Sequence, residues 1–519
     1  MNAVRAWARG LFNRKTLKDD AVAGLVLGVE SVPDGLAGGL LAGVNPVFGL
    51  YAYMTGTITG ALFTSATFMA VQATGAMAIV VSDVDAVHTG SDPDRALFTL
   101  AVMTGVVMLA AGIFKLGTLL RWVSTPVMVG FINAVGVNIV LGQLENFTGY
   151  AAEGANRILR AFDTLLSPGE LEWLSVLVGA VTIALIVVLE RTRLGPLGMV
   201  VAIVATSGIV VGFGWDVLQL RDITDVPRAL PLPVLPDLGL IPTLAVPAVA
   251  LAFVGLVQGA GISANFPNPD GDFPDASQDF TGQGAANIAA GILQGMPVGG
   301  SMSASSLVKT AGAKSKAALL IAGVVMAVLI VVLGDVVGYI SMPSLAALLM
   351  VVGYRTVKPH DIKSTILAGT SPAVVMGVTF VLTMIIPLQN AVMVGIGISV
   401  ILYVIRMSNR VTVKQWTVDE KGLKESDPPT EIGAHEVVVL QPYGSLFFAA
   451  AALFEEALPD VTTETDRSVV IIRLRGKDDL GSTFMEVIGR YADALADANS
   501  KMMIVDSNER VSDQLVATG

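Results

Sequence analysis

From Ala21 to Ile405 the chain is a succession of apolar blocks, each about 15–25 residues long and set off by short polar stretches. Wound as helices rising roughly 1.5 Å per residue, such blocks match the hydrocarbon layer of a bilayer. Fourteen segments are predicted, near 21–42, 46–65, 74–87, 96–114, 126–145, 172–189, 197–213, 245–263, 281–295, 302–311, 316–339, 343–354, 371–386 and 388–405. Two of them, 74–87 and 302–311, are too short to span, and each follows a small or glycine-bearing extended run; they are predicted to be half-helices. Each stands third in a run of seven. Because seven crossings is an odd number, the second run is expected to be inverted relative to the first.

Beyond Arg410 the pattern changes. Lys414, Asp419, Glu420, Lys421, Lys424, Glu425 and Asp427-Pro428-Pro429 make a polar stretch, after which short β- and α-type segments alternate. Strands are expected at Val437–Leu440, Val469–Leu474 and Met502–Val505, and helices at Phe448–Ala457 and Met485–Ala498, as in a small α/β domain. The predicted organisation is an N-terminal arm over 1–19, a transmembrane domain over 20–410, a linker over 411–434 and a second domain over 435–519.

Composition narrows the class. Of 519 residues 53% are hydrophobic and 14% charged, and the mean hydropathy is +0.70, which excludes a disordered or ordinary soluble chain. There is no cysteine, and His88, His360 and His435 form no ligand cluster, so disulfide, thiolate-metal and cysteine chemistry are excluded. The net charge of -11 is concentrated at the end: residues 435–519 hold fourteen acids and seven bases. Nucleic acid is not an expected partner.

Lysine and arginine set the expected orientation. Arg5, Arg9, Arg14, Lys15 and Lys18 put the arm in the cytoplasm, and Lys115, Arg121, Arg191, Arg193, Lys314, Lys316, Arg355, Lys358, Lys363, Arg406, Arg410 and Lys414 follow on that side. Arg95, Arg157, Arg160, Arg221 and Arg228 fall outside. Both termini are expected to be cytoplasmic, in a multi-pass protein of the inner membrane with no cleavable signal before its first segment.

A helix that starts inside the membrane leaves N–H groups unpaired at its positive end, which suits an anion. Thr74-Gly75-Ala76 would open one half-helix; Gly300 and Ser301-Met302-Ser303 would open the other. In an inverted pair both openings point to the bilayer midplane, with Thr74, Ser301 and Ser303 adding hydroxyls. Alternatively, these small residues only let helices pack closely. Gln258 either lines the same cavity or bonds a neighbouring helix, while Gln283, Asn287 and Gln294 read as interhelical bonds. Glu30 and Asp34 are one turn apart beside Pro33: either they bind a proton or cation such as Na+, or Pro33 breaks the helix and they face water. Asp83, Asp85, Asp270, Asp272, Asp275 and Asp279 are expected to reach water.

These residues resemble the sulfate permease family of anion transporters joined to a STAS domain. Pro33-Asp34-Gly35-Leu36-Ala37 and Leu41-Ala42-Gly43-Val44-Asn45-Pro46-Val47-Phe48-Gly49-Leu50-Tyr51 are similar to the family's signature across segments 1 and 2. Gly282-Gln283-Gly284, Asn287, Gly291 and Gly295-Met296-Pro297-Val298-Gly299-Gly300-Ser301-Met302-Ser303 are similar to its signature across segments 9 and 10. The resemblance implies a core of segments 1–4 and 8–11, a gate of segments 5–7 and 12–14, elevator-like motion, homodimers, a small inorganic anion as cargo and no enzyme chemistry or cofactor. Three positions depart from the family: Ala304 stands where an arginine is frequent, Gln258 where an acid is common, and Asp34 where a glutamine is common. The carboxylate has moved from segment 8 to segment 1, which makes Glu30 and Asp34 the expected coupling site for H+ or Na+. The tail resembles a STAS domain through Val469–Leu474, Asp478-Asp479-Leu480-Gly481 and Ile488-Gly489-Arg490-Tyr491; Leu480 replaces the serine that related domains phosphorylate, and docking of a cytoplasmic partner stays open. The chain stops at Gly519, which reads as short of a last helix.

Overall fold

The structure is a computed structural model. It describes residues 16–518 apart from 117–123, 155, 225, 227, 387–389, 392–393, 395–396, 399–400, 402–410, 420–421, 445, 447–449, 477–479 and 506–507. It divides into two compact units, Met1–Ile396 and Gly397–Gly519.

In the first unit, thirteen of the fourteen expected segments are helices: α1 (Leu17–Leu41), α2 (Pro46–Phe63), α3 (Gly75–Ser82), α4 (Pro93–Ile113), α5 (Thr125–Gly142), α6 (Trp173–Glu190), α7 (Leu197–Phe213), α8 (Ile241–Asn265), α9 (Ala276–Ile292), α10 (Met302–Thr310), α11 (Ala317–Val337), α12 (Met342–Thr356) and α13 (Thr370–Ile385). The fourteenth, 388–405, falls largely outside the described residues, as do the arginines of the N-terminal arm, Arg121, Arg406 and Arg410. Six helices among the described residues are long and apolar enough to cross a membrane by length and composition.

The helices sort into two sets. In one, α9 lies along α4 and α2, α11 lies along α1 and α2, and α8 packs on α4; in the other, α5 packs on α12 and α13, and α6 on α7 and α12. The contacts come in pairs when α1–α7 are matched to α8–α13. Thus α1 with α11 mirrors α8 with α4, and α5 with α13 mirrors α12 with α6. That pairing is the inverted repeat. Close backbone approach explains the tightest contact: a methyl built on Gly105 of α4 would lie 2.6 Å from the Gly284 carbonyl oxygen of α9. Helices in lipid gain little from burying apolar groups against one another, so small residues that bring backbones together do more.

Pro33 sits inside α1, which continues through it without a break. The alternative of a wide gap at that point is therefore excluded, and Glu30 and Asp34 share a helical face. Two aspartates expected in water are in fact partnered. Asp83 pairs with Arg157 at 2.9 Å. Asp279 lies inside α9, fully buried, and its carboxylate accepts from the Ser65 amide (2.6 Å), the Ser65 hydroxyl (2.8 Å), the Ala66 amide (3.0 Å) and the Ser263 hydroxyl (2.6 Å). The polar run before segment 9 hid the fact that the helix begins at Ala276.

The second unit has a five-stranded sheet in the order β4-β3-β5-β6-β7, where β3 is Thr412–Asp419, β4 Gly422–Ser426, β5 Val437–Tyr443, β6 Val469–Arg473 and β7 Lys501–Val505. The pairs β5/β6 and β6/β7 are parallel, while β3 runs antiparallel to β4 and β5. Helices α14 (Ala451–Glu456), α15 (Ser482–Asp497) and α16 (Glu509–Thr518) complete it. Phe454 and Phe484, rings 4.5 Å apart, anchor α14 and α15 in a core with Val470, Ile472 and Leu440. Two expectations are corrected. The stretch read as a linker carries β3 and β4, where Lys424 and Glu425 are exposed while Val411 and Val413 are buried. The chain also has a final helix, α16, packed through buried Val511. Asp478 and Asp479 lie outside the described residues, whereas Leu480 is buried with its amide donating to Gln514 Oε1 at 3.1 Å.

Candidate functional site

Two short strands, β1 (Ala70–Gln72) and β2 (Gly299–Ser301), lie within the first unit. They pair antiparallel in the register Ala70–Ser301, Val71–Gly300 and Gln72–Gly299. Helix α3 follows β1 and helix α10 follows β2, so the two half-helices start from opposite ends of one ribbon and run away from it. With eight residues in α3 and nine in α10, each is too short to span.

Small residues make this possible. A methyl on Gly299 would lie 3.0 Å from Gly255 Cα of α8, and one on Gly300 2.9 Å from Gly259 Cα, so the ribbon backbone lies directly on α8. All three residues of each strand are buried.

The residues singled out in the sequence gather here. Thr74 caps α3: its hydroxyl oxygen accepts from the Met77 amide at 3.4 Å and its proton goes to Gln258 Oε1 at 2.9 Å. Of the two readings of Gln258, it therefore both bonds a neighbouring element and stands at the opening. Gly75 and Ala76 supply the first unpaired amides of α3. Ser301 caps α10 by accepting from the Ala304 amide at 3.4 Å, and its hydroxyl lies 3.2 Å from that of Ser303. Gly300 and Ser301 are buried, while Met302 and Ser303 in the first turn of α10 are exposed. Ala304, where an arginine was the familiar residue, is buried at the base of α10 and adds no charge.

Three further residues hold the ribbon. Asn287 donates to the Val298 carbonyl at 2.6 Å and accepts from the Val298 amide at 2.9 Å, and Gln283 Oε1 accepts from the Gly300 amide at 3.0 Å. Asn287 also makes the expected interhelical contact, its amide lying 3.3 Å from Met108 Sδ of α4, but the main bonds of both residues run from α9 to the backbone of β2 and of Val298 just before it. Gln72 had not been noticed. Its amide group donates to Ser31 of α1 at 2.9 Å and Thr57 of α2 at 3.2 Å, all three buried. A glutamine just before a half-helix is a legible signal, since a buried amide there must bond something.

Glu30 and Asp34 lie on α1 close to this anchor. Ser31, which holds Gln72, is adjacent to Glu30 and one turn from Asp34. Asp34 Oδ2 accepts from the Tyr53 hydroxyl at 3.4 Å, and Glu30 is buried. A link thus runs from the carboxylate-bearing turn of α1 through Ser31 to β1 and on to the opening of α3.

Comparison with known proteins shows what the chain and its fold are similar to. The model of the sulfate permease family matches residues 17–379, and that of the STAS domain residues 430–519. The chain is 25% identical over 515 residues to the Bacillus subtilis (strain 168) protein named "Putative sulfate transporter YvdB", covering 98% of this chain and 95% of that one. It is 25% identical over 454 residues to the bicarbonate transporter BicA of Picosynechococcus sp. (strain ATCC 27264 / PCC 7002 / PR-6), covering 84% of this chain and 80% of that one. Its fold is similar to that of murine Solute Carrier 26 family member A9, an anion transporter solved in the inward-facing state, with a TM-score of 0.85 at 17% identity, over 99% of this chain and 90% of that one.

Proposed function

The chain belongs to the sulfate permease family, and from that premise we propose that it carries a small inorganic anion across the inner membrane, held between Thr74–Ala76 and Gly300–Ser303. The observation that carries this reading is the single ribbon from whose two ends α3 and α10 start, so that both sets of unpaired amides serve one site. The named activities of relatives, sulfate and bicarbonate transport, fit such a nest of amides. Because Ala304 brings no charge, a monovalent anion such as bicarbonate, or a dianion entering with a cation, suits the site better than bare sulfate.

In this reading the set α1–α4 with α8–α11 is the moving core, the set α5–α7 with α12 and α13 belongs to the gate, and the core slides elevator-like against it. The two openings differ in surroundings: Met302 and Ser303 in the first turn of α10 are exposed, while Thr74 and Gly75 at the start of α3 are half-buried, with Ile139 and Leu41 beside Gly75. Both termini are assigned to the cytoplasm, two copies to a homodimer and the STAS domain to docking a cytoplasmic partner. Glu30 and Asp34 are assigned to H+ or Na+ coupling through the Ser31–Gln72 link.

Uptake of a panel of radiolabelled anions into reconstituted vesicles tests the reading. A transporter concentrates one of them when a pH or sodium gradient is imposed; vesicles that move none of them mark the protein as a membrane scaffold acting through its STAS domain. Asp34→Asn and Glu30→Gln are expected to retain binding and to lose gradient-driven accumulation. A second reading, uncoupled exchange or a channel-like leak, draws on the neutral Gln258 beside Thr74; it predicts flux that follows the anion gradient alone and coupling that is indifferent to both substitutions.

A further inference from the structure

On the face where α1 and α3 end lies a cavity of about 380 Å³. Leu41, Ser82 and His88 line it from the side of α1 and α3, and Glu145, Arg157 and Arg160 from the side of α5. Arg157 and Arg160 stand one turn apart on the short helix Arg157–Leu166 and so share a face. Arg157 donates to Asp83 at 2.9 Å and to Ser82 at 2.5 Å, which answers its charge. Arg160 differs: among the described residues no carboxylate lies within ion-pair distance of it. The Nε2 atom of His88 is enclosed and has no hydrogen-bond partner among the described residues. Glu145, exposed, is the opposing charge in the lining.

The cavity is one side chain away from the opening of α3. A methyl on Gly142 would meet Arg157 Cδ at 3.7 Å and Leu41 Cδ1 at 3.9 Å; a methyl on Gly75 would meet Leu41 Cδ2 at 3.8 Å and Ile139 Cδ1 at 2.7 Å. Leu41 therefore has one methyl towards the arginine wall and the other towards the first amide of the half-helix. Ser82, at the far end of α3, belongs to the cavity wall, about 12 Å along the helix from its opening.

We propose that this cavity is an outer waiting site for a small oxyanion, with Arg160 as its cation, His88 in its wall, and Leu41 with Ile139 as the apolar shutter towards the central site. The waiting role rests on the transport reading above; the binding of an anion in the cavity does not. A guanidinium without a carboxylate partner within ion-pair distance presents a fork of N–H donors, which oxygen-rich anions accept. Field lines from a cationic wall are also focused inside a concave pocket, which raises the local anion concentration.

The natural chain has no cysteine, so a single introduced thiol is the only target for thiol reagents. Ala152→Cys puts one in the cavity lining, and Gly169→Cys provides an exposed control. With full-length protein in vesicles, a sulfonate-bearing methanethiosulfonate should outpace a trimethylammonium one at Cys in place of Ala152 relative to the control. Adding Arg160→Gln should lower that ratio by about threefold, the effect of one unit charge at a few ångströms across water. Adding Glu145→Gln should raise it, and millimolar inorganic sulfate should slow labelling only while Arg160 is present. A ratio indifferent to Arg160→Gln, or labelling untouched by sulfate, overturns the proposal. If labelling behaves as expected while the vesicles move no anion, the transport reading falls and the cavity stands as a binding site; if anion moves while the ratio stays flat, the reverse holds.

Discussion

At α3 the capping hydroxyl of Thr74 is tied to Gln258, and Thr74 and Gly75 are half-buried beside Leu41 and Ile139; at α10 the capping hydroxyl of Ser301 has Ser303 as its side-chain neighbour among the described residues, and Met302 and Ser303 are exposed. The ribbon beneath is nearly symmetric, but its supports are not. Strand β2 is bonded by Asn287 and Gln283 from α9, whereas β1 is bonded through Gln72 to α1 and α2 and through the Ser305 hydroxyl, which accepts from the Ala70 amide at 3.0 Å. One device is thus repeated in two surroundings. The repeat explains why both half-helices start from one ribbon, and the surroundings make their two openings unlike. The supports also differ in kind: the β2 side is bonded by the neutral amides of Asn287 and Gln283, while the β1 side hangs on an anchor that continues to the turn of α1 bearing Glu30 and Asp34.

The sharpest way to break this comparison is Asn287→Leu. It removes both bonds to Val298 and leaves its backbone groups buried and unpaired, at about 1–3 kcal/mol each. A melting temperature lowered by several degrees and uptake reduced by about tenfold or more are expected, the latter from a misplaced α10 opening. Unchanged uptake would mean that the β2 support is incidental. Next in size is the pair Thr74→Val and Ser301→Ala, each removing a cap worth about 1 kcal/mol. Thr74→Val also strips Gln258 of its donor, so its KM for the anion should rise more than that of Ser301→Ala; equal shifts would show the two openings to be energetically alike. Smallest is Ser303→Ala. With its hydroxyl exposed and close only to Ser301, less than a twofold change in KM is expected, measured beside Ser301→Ala in the same vesicles.

Much of the bundle was legible from lengths alone. Segments 74–87 and 302–311 announced themselves as half-helices by being too short, and thirteen segments appear as helices within four residues of the predicted ends, apart from α3, which ends at Ser82, and α9, which begins at Ala276. That helix was misjudged because Asp275, Gln278 and Asp279 look like loop residues; Asp279 is buried only because Ser65, Ala66 and Ser263 reach it from elsewhere in the chain. For the same reason Gln283 and Asn287 were read as generic glue. Polarity in a membrane segment says that a partner exists, not which one. The strands β3 and β4 were missed because an exposed hairpin and a linker share a charged composition.

Hydrophobic spacing and the placing of glycine, proline and serine determined by themselves that this chain crosses a membrane many times, that two crossings are interrupted, and that an α/β domain follows. Those properties are local: the length of an apolar block and the flexibility of a short run do not depend on what lies nearby. Tertiary structure alone decided that β1 and β2 share one ribbon, that Gln258 bonds Thr74 rather than another helix, and that Leu41 stands between a cationic cavity and the start of α3. Such pairings join residues more than thirty to more than two hundred positions apart. They arise from the packing of whole helices, and no short stretch of sequence contains both partners.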